Sequence, residues 1–272
     1  METNMNMNEQ MNDKTHGGQH TLASAFNDPG VRAEKRRAFL ASVSEALGRQ
    51  APPDRPAPRL VPADDPARTR FAGLDAAALA SLFVENARGM LSNVEVVTPE
   101  GLAPKVLERV LAHGTKEKPA SVVLTRDERL EAAGVHEQLE GAPELGPERV
   151  RVWDKADPAG SRAAAALAST GVVHADFGIA DCGFVVLLNS GDRARSVPLL
   201  PLHSIVIVKK STILPRVAQL GSLLHEKAAA GERMPACINL IGGPSTTADI
   251  ELIKVVGVHG PVTSEVILVE DC

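Results

Sequence analysis

Short runs of Val, Ile and Leu alternate with helix-compatible stretches along much of the chain, and this alternation is the strongest constraint on its fold. Residues 93–97, 121–125 and 150–153 are candidate strands, each separated from the next by a helix-compatible stretch. Parallel strands need a crossover connection, and strands buried on both faces read as short continuous apolar runs. The pattern therefore predicts an α/β domain with an open, mostly parallel sheet covered by helices on both faces.

The last hundred residues are denser in strands. The candidate strands there are residues 172–176, 184–188, 204–208, 236–241 and 265–269. One long helix, predicted over residues 213–229, interrupts them. Strands joined by tight turns favour antiparallel neighbours, so we expect a mixed sheet in this half.

The N-terminal part differs in composition. Residues 1–30 are rich in Asn, Met, Gln and Gly, which is typical of a disordered tail. A helix is predicted to begin after Asp28 and to end at Gly48, and six prolines between positions 52 and 66 then favour an extended strap. The predicted organisation is a tail (1–30), a helical arm with its strap (31–70) and one α/β domain (71–272).

Composition excludes several classes of function. Aromatic residues make up 3% of the chain, with no Tyr, which argues against a stacking platform for single-stranded nucleic acid. The net charge of −5 and the absence of a basic stripe exclude nucleic acid as an expected partner. No apolar run reaches the ~18 residues of a membrane span, and the N-terminus resembles no signal peptide. We therefore expect a cytoplasmic protein without a membrane span.

The three cysteines, Cys182, Cys237 and Cys272, are widely spaced. An iron–sulfur cluster or a zinc ribbon needs closely spaced pairs, and a disulfide framework needs an even number. We expect no iron–sulfur cluster within this chain. Cys182 has two interpretations, a nucleophile or a small buried hydrophobic residue.

A glycine turn follows the apolar run that ends at Ile241. Gly242 and Gly243 permit close approach of the backbone to a ligand, and the residues that follow offer hydroxyl groups at Ser245 and Thr247. Two carboxylates, Asp249 and Glu251, come next. The alternative interpretation is an ordinary turn capped by a hydroxyl side chain.

His259 lies between two glycines in the GVHGP segment, residues 257–261. An imidazole in a tight turn at a strand end can act as an acid, a base or a donor to an anion. The alternative is a surface histidine in a loop.

Residues 172–183 carry further polar groups. His174 and Asp176 alternate on a predicted strand and so face the same side, with Asp181 nearby in the sequence. A metal site from these three is weakly supported by their spacing, and turn-capping carboxylates are the favoured alternative, so we predict no metal site. Downstream, Arg193 and Arg195 offer planar donors for a carboxylate, unless they belong to a solvated loop.

In combination, these segments resemble the LUD domain family of lactate utilisation protein C. The resemblance rests on ADFGIADCG (175–183), RSVPLLPLH (195–203), GGPSTTADIE (242–251), GVHGP (257–261) and a leading RRAFLASVSEALGR (36–49). It implies a fold akin to the NagB/RpiA/CoA-transferase group. It also implies a role in oxidising L-lactate to pyruvate alongside two iron–sulfur partner proteins.

The chain departs from the family pattern at two places. Where the family usually has Thr-Gly-Thr or Thr-Gly-Ser, this chain has Cys182, Gly183 and Phe184. Where the family usually has Ser-Arg-Thr or Ser-Lys-Thr, a Thr stands at position 246. The second change removes a cation beside the glycine turn, and Arg195 is the residue we expect to replace it.

The predicted function is an accessory or ligand-binding subunit of an iron–sulfur-dependent lactate oxidation system, with a small anion as ligand. The predicted ligand-binding residues are Arg195, Gly242, Gly243, Ser245, Thr247 and His259. The candidates for proton transfer are Asp176, Asp181, Asp249, Glu251 and His259. The alternatives are a free-standing enzyme of the CoA-transferase or cyclo-ligase type and a non-catalytic scaffold.

Overall fold

The computed structural model describes residues 28–51, 65–248 and 254–272. The chain divides between Ala63 and Asp64 into two compact units. The first contains helix α1 (Pro29–Ala46), whose N-cap Asp28 accepts a hydrogen bond from the amide of Gly30 at 2.7 Å. This helix is the predicted one, whereas the tail and most of the proline strap lie outside the described residues.

The second unit begins with α2 (Pro66–Thr69), α3 (Ala76–Gly89), β1 (Ser92–Val97), α4 (Leu102–Ala112), β2 (Val122–Leu124), α5 (Glu128–Ala132), α6 (Val135–Glu140) and β3 (Val150–Val152). It continues with α7 (Pro158–Leu167), β4 (Thr170–His174), β5 (Phe177–Ile179), β6 (Phe184–Asn189), α8 (Ser196–Leu199) and β7 (His203–Lys209). It ends with β8 (Ile213–Leu214), α9 (Val217–Ala229), β9 (Cys237–Ile241), β10 (Thr246–Ala248), β11 (Lys254–Val256) and β12 (Thr263–Val269).

Six of these strands form one parallel sheet in the order β1-β12-β7-β4-β2-β3. The side chains of its central strands alternate between two apolar layers. Ile205 and Ile207 of β7 face α4, α5 and α6, whereas Val206 and Val208 face α3, α7 and α8. The predicted parallel sheet with helices on both faces is thus confirmed, and the likeness to the NagB/RpiA/CoA-transferase group stays a prediction. Within the described residues, no helix has the length and apolar character needed to cross a bilayer.

The antiparallel strands of the second half do not join the main sheet. They form a separate β10-β11 pair and a four-stranded sheet, β8-β5-β6-β9, which is mixed because β8 pairs with β5 in parallel. A tight turn that ends at Gly183, with φ of +67°, connects β5 to β6. A Cβ at Gly183 would collide with the backbone of α3 at Ala87, so only glycine fits there.

Local turns set where two of the helices begin, and α9 begins later than the predicted residue 213. Helix α4 begins at Leu102 because residues 98–101 form a turn in which Thr98 Oγ1 accepts a hydrogen bond from the Gly101 amide at 3.3 Å. Helix α9 begins at Val217 because Pro215 disfavours a helical conformation in the residue before it, and Leu214 instead ends β8.

One charged side chain, Glu265 of β12, lies inside the layer between the sheet and α4. Both of its carboxylate oxygens accept hydrogen bonds from Arg109, at 2.6 and 2.7 Å, and His113 Nε2 lies 2.9 Å from Oε1. Burial by itself raises the pKa of Glu265, but Arg109 and His113 outweigh it and hold that pKa at about 2. This ion pair fixes α4 on the sheet.

We expect Glu265→Gln to lower the free energy of unfolding by about 1.5–3 kcal/mol, because it removes the buried carboxylate of two charge-assisted hydrogen bonds and leaves Arg109 with the more distant Glu95, at 3.8 Å. Urea denaturation at pH 7 measures the difference. The matched control is Glu108→Gln, which removes an exposed partner of Lys105 on the same helix and should cost less than about 1 kcal/mol. Equal effects of the two substitutions would contradict a structural role for Glu265.

Candidate functional site at the carboxyl edge of the sheet

The carboxyl ends of the parallel strands meet at one edge of the main sheet and border a cavity of about 540 Å³. We call it the carboxyl-edge cavity. Its walls include Leu102 of α4, Arg129 of α5, His174 of β4, Lys209 of β7 and Asp271 beyond β12. In open α/β sheets this edge is where ligands bind.

Lys209 is the last residue of β7, at the centre of the sheet. Its side chain is half-buried, and within the described part of the chain its ammonium group has no hydrogen bond or ion pair. The nearby Asp271 is already engaged, since Oδ1 and Oδ2 accept hydrogen bonds from the backbone and hydroxyl of Ser211 at 2.9 and 2.6 Å. Lys209 therefore offers a positive charge to the cavity.

His174 is the last residue of β4 and is 5% exposed. Its Nδ1 lies 2.7 Å from the carbonyl oxygen of Ala175, which can only accept, so Nδ1 carries the proton. Burial, assisted by the charge of Arg129, lowers the pKa of His174 to about 4. The imidazole is therefore neutral at pH 7, and its Nε2 has no partner among the described residues.

Arg129 fixes the wall of the cavity beside His174. Its Nε and Nη2 donate to Asp127 at 2.9 and 2.6 Å, and its Nη1 and Nη2 donate to the carbonyl oxygens of Ala175 and His174 at 3.1 and 3.2 Å. Nη1 also lies 3.2 Å from Asp176 Oδ1. All three guanidinium nitrogens are therefore committed within the protein.

Asp176 connects the main sheet to the four-stranded sheet. Its Oδ1 accepts a hydrogen bond from Arg193 at 2.7 Å, and its Oδ2 accepts one from the backbone amide of Leu188 at 2.6 Å. With both oxygens occupied, Asp176 is placed to hold the strands together. The arginine that meets it is Arg193, whereas Arg195 is exposed and has no hydrogen bond or ion pair among the described residues.

The predicted glycine turn and the His259 turn do lie together, but at the opposite, amino edge of the sheet. The amide of Ser245 donates to the Pro261 carbonyl at 2.9 Å, and the Gly257 amide donates to Ser245 at 2.7 Å. His259 itself is exposed. The Ser245 amide is therefore committed to holding the two turns together.

Gly242 and Gly243 serve close packing in the structure. A Cβ at Gly242 would enter the ring of Phe184, and a Cβ at Gly243 would meet the carbonyl oxygen of Met90. Gly243 also has φ of +76°, a conformation that glycine adopts without strain. The signal that predicted a ligand cradle thus has a packing cause.

The single predicted site is therefore divided. The His259 turn precedes β12 at the amino edge, whereas Asp176 follows β4 at the carboxyl edge. The seven residues of β7 separate the two edges by roughly 20 Å.

The other predicted site residues lie elsewhere. Asp181 accepts a hydrogen bond from Arg216 at 2.7 Å, and Thr247 pairs with Val255 in the β10-β11 pair. Asp249 and Glu251 lie outside the described residues.

The weakly supported metal site is not assembled either. Among the described residues, no three His, Cys, Asp or Glu side chains are placed to hold a metal ion together. His174 and Asp176 instead make the contacts given above, and Asp181 pairs with Arg216.

Cys182 is half-buried, and burial raises the pKa of its thiol to about 11. The thiol is therefore protonated at neutral pH, which favours the interpretation as a small buried residue over a nucleophile.

The residues that the sequence interpretation missed share one signal. Asp127, Lys209 and Asp271 stand at or just after the carboxyl ends of β2, β7 and β12, on either side of β4, whose own last residue, His174, the sequence singled out only as a metal-site candidate. The carboxyl ends of neighbouring parallel strands lie at one edge of the sheet, and ligands bind at that edge. These two rules, applied to the predicted strands, identify the polar residues that follow them.

We expect the free energy of unfolding to fall as the pH drops from about 6.5 toward 4, because the pKa of buried His174 is depressed to about 4 in the folded state. The folded protein resists taking up a proton that the unfolded chain accepts, so stability is full above pH 6.5 and is lost below it. Between pH 6.5 and 4.5 this group contributes a loss of roughly 2–3 kcal/mol. Urea denaturation across this pH range measures it. His174→Gln should show a shallower dependence, and an identical dependence in both proteins would refute the assignment.

We expect iodoacetamide at pH 7.5 to alkylate Cys272 well before Cys182, because the raised pKa of Cys182 leaves almost no thiolate and Cys272 is exposed. Mass spectrometry of peptides over a time course gives the two rates. Faster modification of Cys182 would restore the nucleophile interpretation.

Comparison with known proteins identifies the family. The LUD domain profile matches residues 80–269. "Uncharacterized protein YkgG" of Escherichia coli K12 is 42% identical over 241 residues, which cover 88% of this chain and all of that protein. "Lactate utilization protein C 1" of Bacillus mycoides is 34% identical over 88% of this chain and 98% of its own length. A crystal structure of a DUF162 family protein from Deinococcus radiodurans covers 72% of this chain and 99% of its own, with a TM-score of 0.48 and 17% identity. On the domain match and the identity to YkgG, the chain belongs to the LUD domain family.

Proposed function

We propose that this chain is a ligand-binding subunit of a lactate utilisation system and that it holds a small carboxylate, lactate or pyruvate, in the carboxyl-edge cavity. Relatives that carry the name lactate utilization protein C support the system. The unpaired ammonium group of Lys209 in that cavity supports the ligand class.

The position of Lys209 carries the proposal. A partly buried ammonium group that makes no direct hydrogen bond or ion pair loses hydration without a replacement contact. Asp127 binds Arg129, and Asp271 accepts its hydrogen bonds from Ser211 and attracts Lys209 only through a longer-range electrostatic interaction. A carboxylate bound at Lys209 would supply the missing partner. The first turn of the eleven-residue helix α4, at Leu102, also lines the cavity, and its positive dipole end favours an anion there.

The cavity disfavours a polyphosphate more strongly than a monoanion, because Lys209 can pair with one negative charge whereas the lining holds more carboxylates than cations. Three carboxylates, Glu100, Glu128 and Asp271, line it together with two cations, Arg129 and Lys209. Because Asp127 neutralises Arg129, one cation remains against the acidic rim. A nucleotide or a coenzyme A phosphate would be repelled there, which disfavours the CoA-transferase or cyclo-ligase alternative.

The oxidation step belongs, in this proposal, to iron–sulfur partner proteins. That division of labour follows from the sequence resemblance, which implies two such partners in the oxidation of L-lactate to pyruvate. This chain would hold the carboxylate, and the partners would accept the electrons. A cytoplasmic location is part of the same proposal.

We expect the purified chain to bind L-lactate and Lys209→Gln to weaken that binding at least roughly tenfold, because one charge-assisted hydrogen bond contributes about 1.5–3 kcal/mol. Isothermal titration calorimetry measures the dissociation constants. The matched control is Lys116→Gln, which removes the same charge from an exposed loop beyond α4 and should leave binding unchanged.

If Lys209→Gln binds L-lactate with the wild-type affinity, the proposed site is wrong. The subunit role is tested separately, by lactate-dependent dye reduction with the copurified iron–sulfur partners. Omitting this chain should lower the rate of dye reduction. Adding back the Lys209→Gln variant should restore less of that rate than adding back the Lys116→Gln variant. An equal rate without the chain would overturn the subunit role.

A further inference from the structure

We infer that the carboxyl-edge cavity selects a 2-hydroxy acid over the corresponding 2-oxo acid, because His174 presents a fixed hydrogen-bond acceptor to the group beside the bound carboxylate. The inference rests on the proposed function and makes it more specific. It assigns His174 as the residue that determines specificity at this site.

The first step is the orientation of the imidazole. The carbonyl oxygen of Ala175, 2.7 Å from Nδ1, is an acceptor that also receives a hydrogen bond from Arg129. A carbonyl offers no proton, so Nδ1 must carry the hydrogen and Nε2 must carry the lone pair. Asp127 and the His174 carbonyl also bind Arg129 and hold it beside the Ala175 carbonyl.

The second step is that the neutral form persists. His174 is buried, with 5% of the residue exposed, and the cations Arg129 and Lys209 both oppose protonation of its ring. Nε2 therefore remains an acceptor at neutral pH. It has no partner in the described part of the chain, although His174 lines the cavity.

The third step is the position of His174 relative to Lys209. His174 of β4 is opposite Ile207 of β7, and Lys209 follows two residues later. Side chains two apart on a strand share a face, so Lys209 lies on the same face as Ile207. The two Cα atoms are about 8 Å apart by strand geometry. Side chains converging from that distance can contact adjacent atoms of one small ligand.

These steps define the required chemistry of the ligand. With the carboxylate at Lys209, the oxygen on the neighbouring carbon lies toward Nε2. A hydroxyl at this carbon donates a hydrogen bond to Nε2. A 2-oxo group brings its own lone pairs against that of the nitrogen, and an unsubstituted carbon leaves Nε2 unsatisfied. Sites built around a ligand hydroxyl discriminate strongly against analogues without one.

The test compares three carboxylates by calorimetry at pH 7.5 with the full-length chain: L-lactate, pyruvate and propanoate. The wild-type protein should bind lactate roughly tenfold or more tightly than either of the others. In His174→Gln, the dissociation constants for lactate and pyruvate should become nearly equal. The reason is that the glutamine amide can rotate, either to donate a hydrogen bond to a carbonyl or to accept one from a hydroxyl. Thermal unfolding of the variant at pH 7.5 checks that it is folded.

The outcomes separate the two levels of the argument. Equal binding of lactate and pyruvate by the wild type, with both dependent on Lys209, would overturn the inference and leave the proposed function intact. A preference for lactate that survives in folded His174→Gln would also overturn it. If no carboxylate binds, or if binding ignores Lys209, the proposed function itself fails. Should His174→Gln not fold, the three wild-type constants decide, since comparable binding of propanoate and lactate excludes a role for the hydroxyl.

Discussion

The carboxyl edge depends on how Arg129 is held. Its guanidinium joins Asp127 after β2, the carbonyl oxygens at the end of β4, and Asp176, which in turn reaches Arg193 and the backbone of β6. One side chain thus ties two neighbouring strands of the main sheet to the four-stranded sheet. Because Asp127 is buried, removing Arg129 would leave its carboxylate without a compensating cation.

The chemistry of the cavity follows from this arrangement. The N–H groups of Arg129 all bind protein acceptors, so in the proposed site Lys209 supplies the positive charge for a ligand. Its positive charge also helps to lower the pKa of His174 and keep that ring neutral. In the proposed site, the contacts of Arg129 therefore leave two groups with different roles. Lys209 is the cation for a carboxylate, and His174 is the acceptor for a hydroxyl.

The fold was largely predictable from the sequence, but the site was not. Alternation of apolar strands and helices dictates a parallel sheet, because each buried strand needs cover on both faces. The site interpretation instead relied on glycines and on a histidine between glycines. Gly242 and Gly243 meet Phe184 and Met90, contacts between segments distant in sequence that no local pattern reveals. Lys209 looks like an ordinary polar residue until the strand order places it between His174 and Asp271.

The departures from the family pattern fall on packing positions rather than on the cavity. The Phe184 ring covers Gly242, Cys182 is a half-buried thiol in the turn before β6, and Thr246 Oγ1 donates to the Pro244 carbonyl at 3.1 Å. None of the three lines the carboxyl-edge cavity. A cation lost at position 246 therefore needs no replacement by Arg195 for Lys209 to hold a carboxylate. The binding that we propose at Lys209 and His174 should not depend on those substitutions, because the full length of the central strands separates the two edges of the sheet.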